Sequence, residues 1–146
     1  MNIQSEYQLE NELIAQLKTL GYASVTIKDE SQLLSNLKAQ IERANGLAPL
    51  STTEWKQVIS FLNTGTVFER AKNLRDLFPI KFDDGSSKHI FFLSNDAAKN
   101  HYQVTNQITI DHRDYNGRTS RFDVTLLVNG LPLVQIELKK RGMEIA

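Results

Sequence analysis

Asp123, Glu137 and Lys139 are the residues whose types and spacing suggest chemistry. Two carboxylates face to face across a strand pair repel by roughly 0.2–1 kcal/mol, more as burial grows. A divalent cation removes that repulsion. Oxygen ligands so spaced suit a hard ion such as Mg²⁺, which takes one or two carboxylates and keeps waters that a phosphate can displace. Lys139 is then placed to orient a water or to stabilise charge developing on phosphorus. The same residues also fit a surface hairpin with a cross-strand Glu–Lys or Asp–Lys pair, and such solvated pairs are common.

The element that must position them is the stretch from Arg121 to Lys140, two apolar arms separated by Asn129-Gly130. Val124, Leu126 and Val128 share one face of the first arm. Pro132, Val134, Ile136 and Leu138 share one face of the second. A two-residue Asn129-Gly130 turn would pair Val128 with Leu131 and set Asp123 opposite Ile136, mixing polar with apolar. A three-residue loop, Asn129-Gly130-Leu131, sets Asp123 opposite Glu137 and Thr125 opposite Gln135. Register follows the face pattern, since a one-residue slip flips every side chain. The expectation is therefore a three-residue loop, with Gly130 supplying a positive φ.

The chain is 146 residues long with 40% hydrophobic and 23% charged residues, which suits one soluble domain over 1–146. Formal net charge is zero, so contact with nucleic acid would need a local basic patch. With no cysteine, disulfides and thiolate metal sites are excluded. No apolar leader or membrane span is visible. Met143-Glu144-Ile145-Ala146 reads as the start of a helix, so the expectation is an N-terminal piece of a longer protein.

Leu9, Leu13, Leu17 and Leu20, with Ile14, recur at helical spacing and predict a helix over Ser5–Leu20, capped by Ser5 and stopped by Gly21. Glu6 and Glu10 fall within or beside its apolar stripe. A carboxylate on a buried helix face is unusual, so Glu10 is a third acidic candidate; attraction to the helix N-terminus explains Glu6 more easily than Glu10. A short strand is expected from Tyr22 to Ile27. Three helices follow: Ser31–Ala44, Ser51–Leu62 with a Ser51/Glu54 capping box, and Thr66–Phe78, ended by Pro79. The last should bury Val67, Phe68, Ala71, Leu74 and Leu77. Ile80–Phe82 and His89–Leu93 predict a hairpin with a solvated Asp83-Asp84 tip. Asn95–Asn100 reads as a short helix or turn. Val104, Asn106, Ile108 and Ile110 are expected on one side of a strand, before a polar loop over Asp111–Ser120.

That loop and its flanks gather Arg113, Arg118, Arg121, Lys140 and Arg141, the candidate phosphate-contact surface; basic loops also serve solubility alone. The histidines lack the i, i+4 spacing of a helical zinc motif, and no Walker loop, G-x-G-x-x-G or G-x-S-x-G occurs.

Asp123 followed across the turn by Glu137-Leu138-Lys139 resembles the D…E-x-K pattern of the PD-(D/E)XK nuclease superfamily, with Phe122 where its motif has proline. The wider string is more specific. Asn106-Gln107, Arg121-Phe122-Asp123-Val124 and Val128-Asn129-Gly130-Leu131-Pro132-Leu133-Val134 resemble the N-terminal nuclease domain of the restriction (R, HsdR) subunit of type I restriction–modification enzymes. So do Ser5-Glu6-Tyr7, Leu9-Glu10-Asn11-Glu12-Leu13-Ile14 and Gly21-Tyr22. The resemblance implies an α+β fold: a mixed, restriction-endonuclease-like sheet flanked by helices, with the helices of 31–78 inserted. It implies that Asp123, Glu137 and the Leu138 carbonyl bind Mg²⁺, that Lys139 positions the attacking water, and that Glu10 completes the site. It also implies a cytoplasmic enzyme cutting double-stranded DNA. Its ATP-driven translocase would lie beyond Ala146, and its partners would be methylation and specificity subunits. A nuclease-like docking module, and a different PD-(D/E)XK repair nuclease, are the alternatives.

Overall fold

The computed structural model describes residues 5–112 and 118–139, with 111, 112 and 118–120 described by their backbone alone. Helix α1 (Glu6–Thr19) begins where the sequence signals it. Ser5 Oγ accepts the Gln8 N–H at 3.1 Å, and the Gln8 side chain accepts the Ser5 N–H at 3.1 Å. After the two-residue strand β1 (Ala23–Ser24) comes α2 (Glu30–Asn45), closed by Gly46 in the left-handed region. Helix α3 (Thr52–Leu62) opens on the expected Ser51/Glu54 capping box. Then follow α4 (Val67–Asn73), the hairpin β2 (Phe78–Lys81) and β3 (Ser87–Ile90), a 3-10 turn at Ala97–Lys99, and the strands β4 (Tyr102–His112), β5 (Arg118–Val128) and β6 (Leu131–Ile136).

The main sheet has the order β1-β4-β5-β6; β1 runs parallel to β4 and the remaining pairs are antiparallel. The fold is therefore α+β with a mixed sheet, as expected. Helix α1 covers one face, where Leu17 packs with Val104 and Val124. The other face meets the start of α2, where Ile27, Ile108 and Leu127 cluster with Leu33. A third cluster ties α2 and α3 to the small hairpin and to the tip of the large one: Leu37, Ile41, Val58, Ile80, Ile90, Phe92 and Leu131. Because both faces of the sheet are covered, Thr125 and Leu127 are buried, although the alternation pattern assigns them to a polar face.

The structure corrects the reading around α4. That helix ends at Asn73, and Phe78-Pro79 belong to an edge strand rather than to a helix stop, a place where proline is tolerated. Phe78 stacks on Phe61 at 4.5 Å between ring centroids instead of extending the helix. Val67, Phe68 and Leu77 stay exposed, as does Leu20 at the end of α1. The expected polar loop over Asp111–Ser120 is also shorter, because β4 reaches His112 and β5 starts at Arg118.

The large hairpin solves its register problem differently from the expectation. The tip is a two-residue turn: Val128 pairs with Leu131, and Asn129 and Gly130 both have positive φ, 51° and 83°. A β-bulge then leaves Leu133 unpaired, between Leu127↔Pro132 and Leu126↔Val134. Beyond it Thr125 faces Gln135 and Val124 faces Ile136, which is the register expected at the open end. The loop expectation was wrong and the open-end register was right; the bulge reconciles them. Gly130 is required at the tip, since a Cβ there would stand 2.7 Å from Leu37 Cα.

Candidate active site

Glu10 lies on the α1 face that packs against the sheet and is 5% exposed. A carboxylate out of water needs donors. It has them in two neighbouring amides of β4: Asn106 Nδ2 donates to Oε1, and Gln107 Nε2 donates to Oε2 at 2.7 Å. Gln107 Oε1 in turn accepts from Arg121 Nε on β5, so the amide bridges the buried carboxylate and the exposed guanidinium.

Two successive residues of a regular strand point to opposite faces. Asn106 and Gln107 reach the same carboxylate because Gln107 has φ 59°, the left-handed region, which a non-glycine residue enters at a cost of about 1–2 kcal/mol. The expected one-sided row of Val104, Asn106, Ile108 and Ile110 breaks at this point. Val104 packs towards α1, whereas Ile108 and Ile110 pack with Ile27 and Leu127. Sequence reasoning kept Asn106 and Gln107 only as part of a family string. The readable signal was two adjacent amides inside a strand of branched apolar residues; the backbone kink has no signature at a glutamine.

Asp123 is half-buried on β5, and its Oδ2 accepts the Leu138 N–H at 2.8 Å. That bond fastens the open end of the hairpin past the last ladder pair. Asp123 borders two adjoining concavities. A cleft of about 630 Å³ is lined by Glu10, Asn106, Gln107, Arg121, Asp123 and Leu138, with Glu6, Tyr7 and Lys28 at its α1 and β1 side. A smaller one, about 350 Å³, is lined by Asp123, Glu137, Arg121, Phe122, Gln135 and Ile136. The structure thus brings Glu10 and Asp123 to one cleft and Glu137 and Asp123 to the next. Glu137 and Lys139 are exposed, and Lys139 lines neither concavity.

Carboxylate oxygens are donors that suit a hard cation, and neither lining holds sulfur. Asp123 is the shared member of any such set. Among the described residues, no group of three histidine or acidic side chains is gathered closely enough to hold a metal ion. Of the candidate phosphate-contacting residues, Arg121 is exposed beside both concavities. Arg118 is placed by its backbone, opposite His112. Arg113, Lys140 and Arg141 lie outside the described residues.

Residues 3–146 match the family model described as type I restriction enzyme R protein N terminus. The type I restriction enzyme SauMSSORF170P endonuclease subunit of Staphylococcus aureus (strain MSSA476) is 43% identical over 150 residues, covering 99% of this chain and 16% of that protein. The SsaAORF53P endonuclease subunit of Staphylococcus saprophyticus is 42% identical over the same share of each. The EcoprrI endonuclease subunit of Escherichia coli is 36% identical over 97% of this chain and 46% of that protein. The chain therefore spans about a sixth of its staphylococcal relatives. These matches have one reading: the chain belongs to the family of the type I restriction enzyme R protein N terminus.

Proposed function

We propose that this chain is the DNA-cleaving part of a type I restriction enzyme R subunit, hydrolysing phosphodiester bonds of double-stranded DNA with Mg²⁺. The observation that carries the reading is the position of Asp123 between a cleft holding Glu10 and a concavity holding Glu137. Family membership supports it, and so do the names of relatives as endonuclease subunits.

Asp123, Glu137 and the Leu138 carbonyl are the residues that would hold the ion. Bound there, Mg²⁺ supplies a water acidic enough to attack at neutral pH and a counter-charge for the phosphate. Lys139, exposed at the end of the hairpin, would orient the attacking water. Glu10, clamped by two amides, adds fixed negative charge at the back of the cleft. Arg121 stands at the mouth as a phosphate contact, and Arg113, Arg118, Lys140 and Arg141 extend the same role. ATP-driven translocation and assembly with methylation and specificity subunits belong to the remainder of such an enzyme, most of which this chain does not span.

The test is Asp123→Ala in the full-length subunit, assembled with its partners. Double-strand cleavage should disappear while ATP hydrolysis continues. Intact cleavage alongside normal ATP hydrolysis would remove Asp123 from the chemistry. A second reading, a nuclease-like docking module, is favoured by the exposure of Glu137 and Lys139, with Lys139 lining neither concavity. Calorimetric titration of this chain with Mg²⁺ or Mn²⁺ separates the two: heat that vanishes in Glu137→Ala supports the nuclease, and no heat at all supports the module.

A further inference from the structure

At the tip of the large hairpin, on the α2 side, lies a hollow of about 390 Å³ with chemistry opposite to the acidic cleft. Its lining includes Gln40 and Arg43 from α2, Lys99 from the 3-10 turn, Asn100, and His101 just before β4, with Asn129 of the turn at its floor. Three of these are bases and none is an acid. They are distant in sequence, so no linear motif announces them.

The walls are fixed. Asn129 Oδ1 accepts the His101 N–H at 2.8 Å, and Asn129 Nδ2 donates to Asn100 Oδ1 at 2.8 Å. Gln40 Oε1 lies 2.7 Å from His101 Nδ1, which places the ring proton on Nδ1 and leaves Nε2 as the second nitrogen. Arg43 and Lys99 have no carboxylate partner among the described residues, where the ion pair is Lys38 with Glu42. Asp96, the acid nearest in sequence to Lys99, is spent on capping the 3-10 turn through the Ala98 N–H and is not in the lining. Burial first, and then the Arg43 guanidinium, hold His101 below the usual imidazole range. Arg43 thus presses on His101, and Lys99 lines the same hollow, with no carboxylate in that lining; an anion relieves such an arrangement.

We infer that this hollow binds a phosphate group, with Arg43 offering its planar fork, Lys99 a point charge, and His101 a further donor when protonated. It is not part of the acidic cleft. The two share no lining residue, and six residues of extended chain, about 20 Å, separate Asp123 from Asn129. The inference does not rest on the nuclease reading. The phosphate has two sources to distinguish, a nucleic-acid backbone and a free nucleotide or inorganic phosphate.

The experiment follows the His101 ring resonances of this chain by NMR across pH, with and without inorganic phosphate. Binding should move the His101 titration upwards, since the anion favours the charged ring; Arg43 and Lys99 are the charged groups facing it. Arg43→Gln/Lys99→Gln should weaken phosphate binding about tenfold or more, while Asp123→Asn leaves it unchanged. Displacement of phosphate by a short duplex without Mg²⁺ assigns the backbone as the source; displacement by a nucleoside triphosphate alone assigns the free nucleotide. A His101 titration indifferent to phosphate, or equal binding by a folded double variant, overturns the inference.

Discussion

Gln107 and Asp123 stand opposite one another at the point where the β4–β5 ladder lacks a rung. Asn106 pairs with Val124 and Ile108 with Phe122, and the residues between them are unbridged. The left-handed backbone of Gln107 takes its peptide out of the ladder and turns its amide onto Glu10. Strain held at one residue beside a buried carboxylate is a pattern of functional sites, where surrounding contacts offset its cost.

Gln107→Ala and Gln107→Gly separate the strain from the hydrogen bond. Both remove one Glu10 donor, and only glycine accepts φ 59° freely. Glycine should leave the chain about 1 kcal/mol more stable than alanine by urea denaturation. Equal stability of the two would mean that the kink carries no strain. In a Glu10→Ala background the loss from Gln107→Ala should shrink, because the two residues share one interaction.

Asp123→Asn tests the proposed metal ligand without disturbing the fold. An amide oxygen still accepts the Leu138 N–H, so unfolding free energy should change by less than about 1 kcal/mol. Mg²⁺ binding heat should fall sharply, since a charged ligand becomes neutral. Unaltered heat would place the ion elsewhere.

Gly130→Ala should destabilise by about 2 kcal/mol or more. The new Cβ meets backbone at 2.7 Å, and φ is 83°. Thermal melting measures it. A neutral result would show that the tip can lift away from α2.

Glu54 gives the fold an acid-sensitive joint. The Ser51 N–H first, and then the Asp83 N–H, both at 2.8 Å, hold its carboxyl below the ordinary 4.5. Its stabilisation is therefore present above pH 4.5 and is lost as pH falls through the folded-state value. Asp84, held below its ordinary 3.8 by the Ser86 side chain and then its N–H, adds to the same acid limb. Glu54→Gln should flatten the stability–pH curve below 4.5 without removing the Asp84 part. An unchanged curve would mean that the tie between α3 and the small hairpin breaks before Glu54 titrates.

Local rules carried much of the reading. Ser5 and Ser51 act as the caps expected of them because capping depends on a few consecutive residues. Glu10 was legible as a carboxylate out of place on an apolar face, and the open-end register from alternation alone. What failed depended on distant contacts. Val67 and Phe68 repeat like core residues, yet nothing among the described residues covers them. Phe78 has helical spacing to Leu74 but stacks on Phe61. The kink at Gln107 and the bulge at Leu133 are backbone choices imposed by what each segment must reach. The basic hollow is assembled from three separate elements, which periodicity cannot see.

The unpaired Leu133 gives the second arm of the hairpin one residue more than its ladder uses. The tip is locked to α2 through Gly130, and the pairs Thr125↔Gln135 and Val124↔Ile136 fix the other end. The arm therefore has slack in one direction only. Deleting Leu133 would close the bulge, keep the turn and every pair beyond it, and leave Glu137 where it is. Inserting one residue between Val134 and Gln135 would instead slip the far end by one and present Ile136 where Glu137 had been.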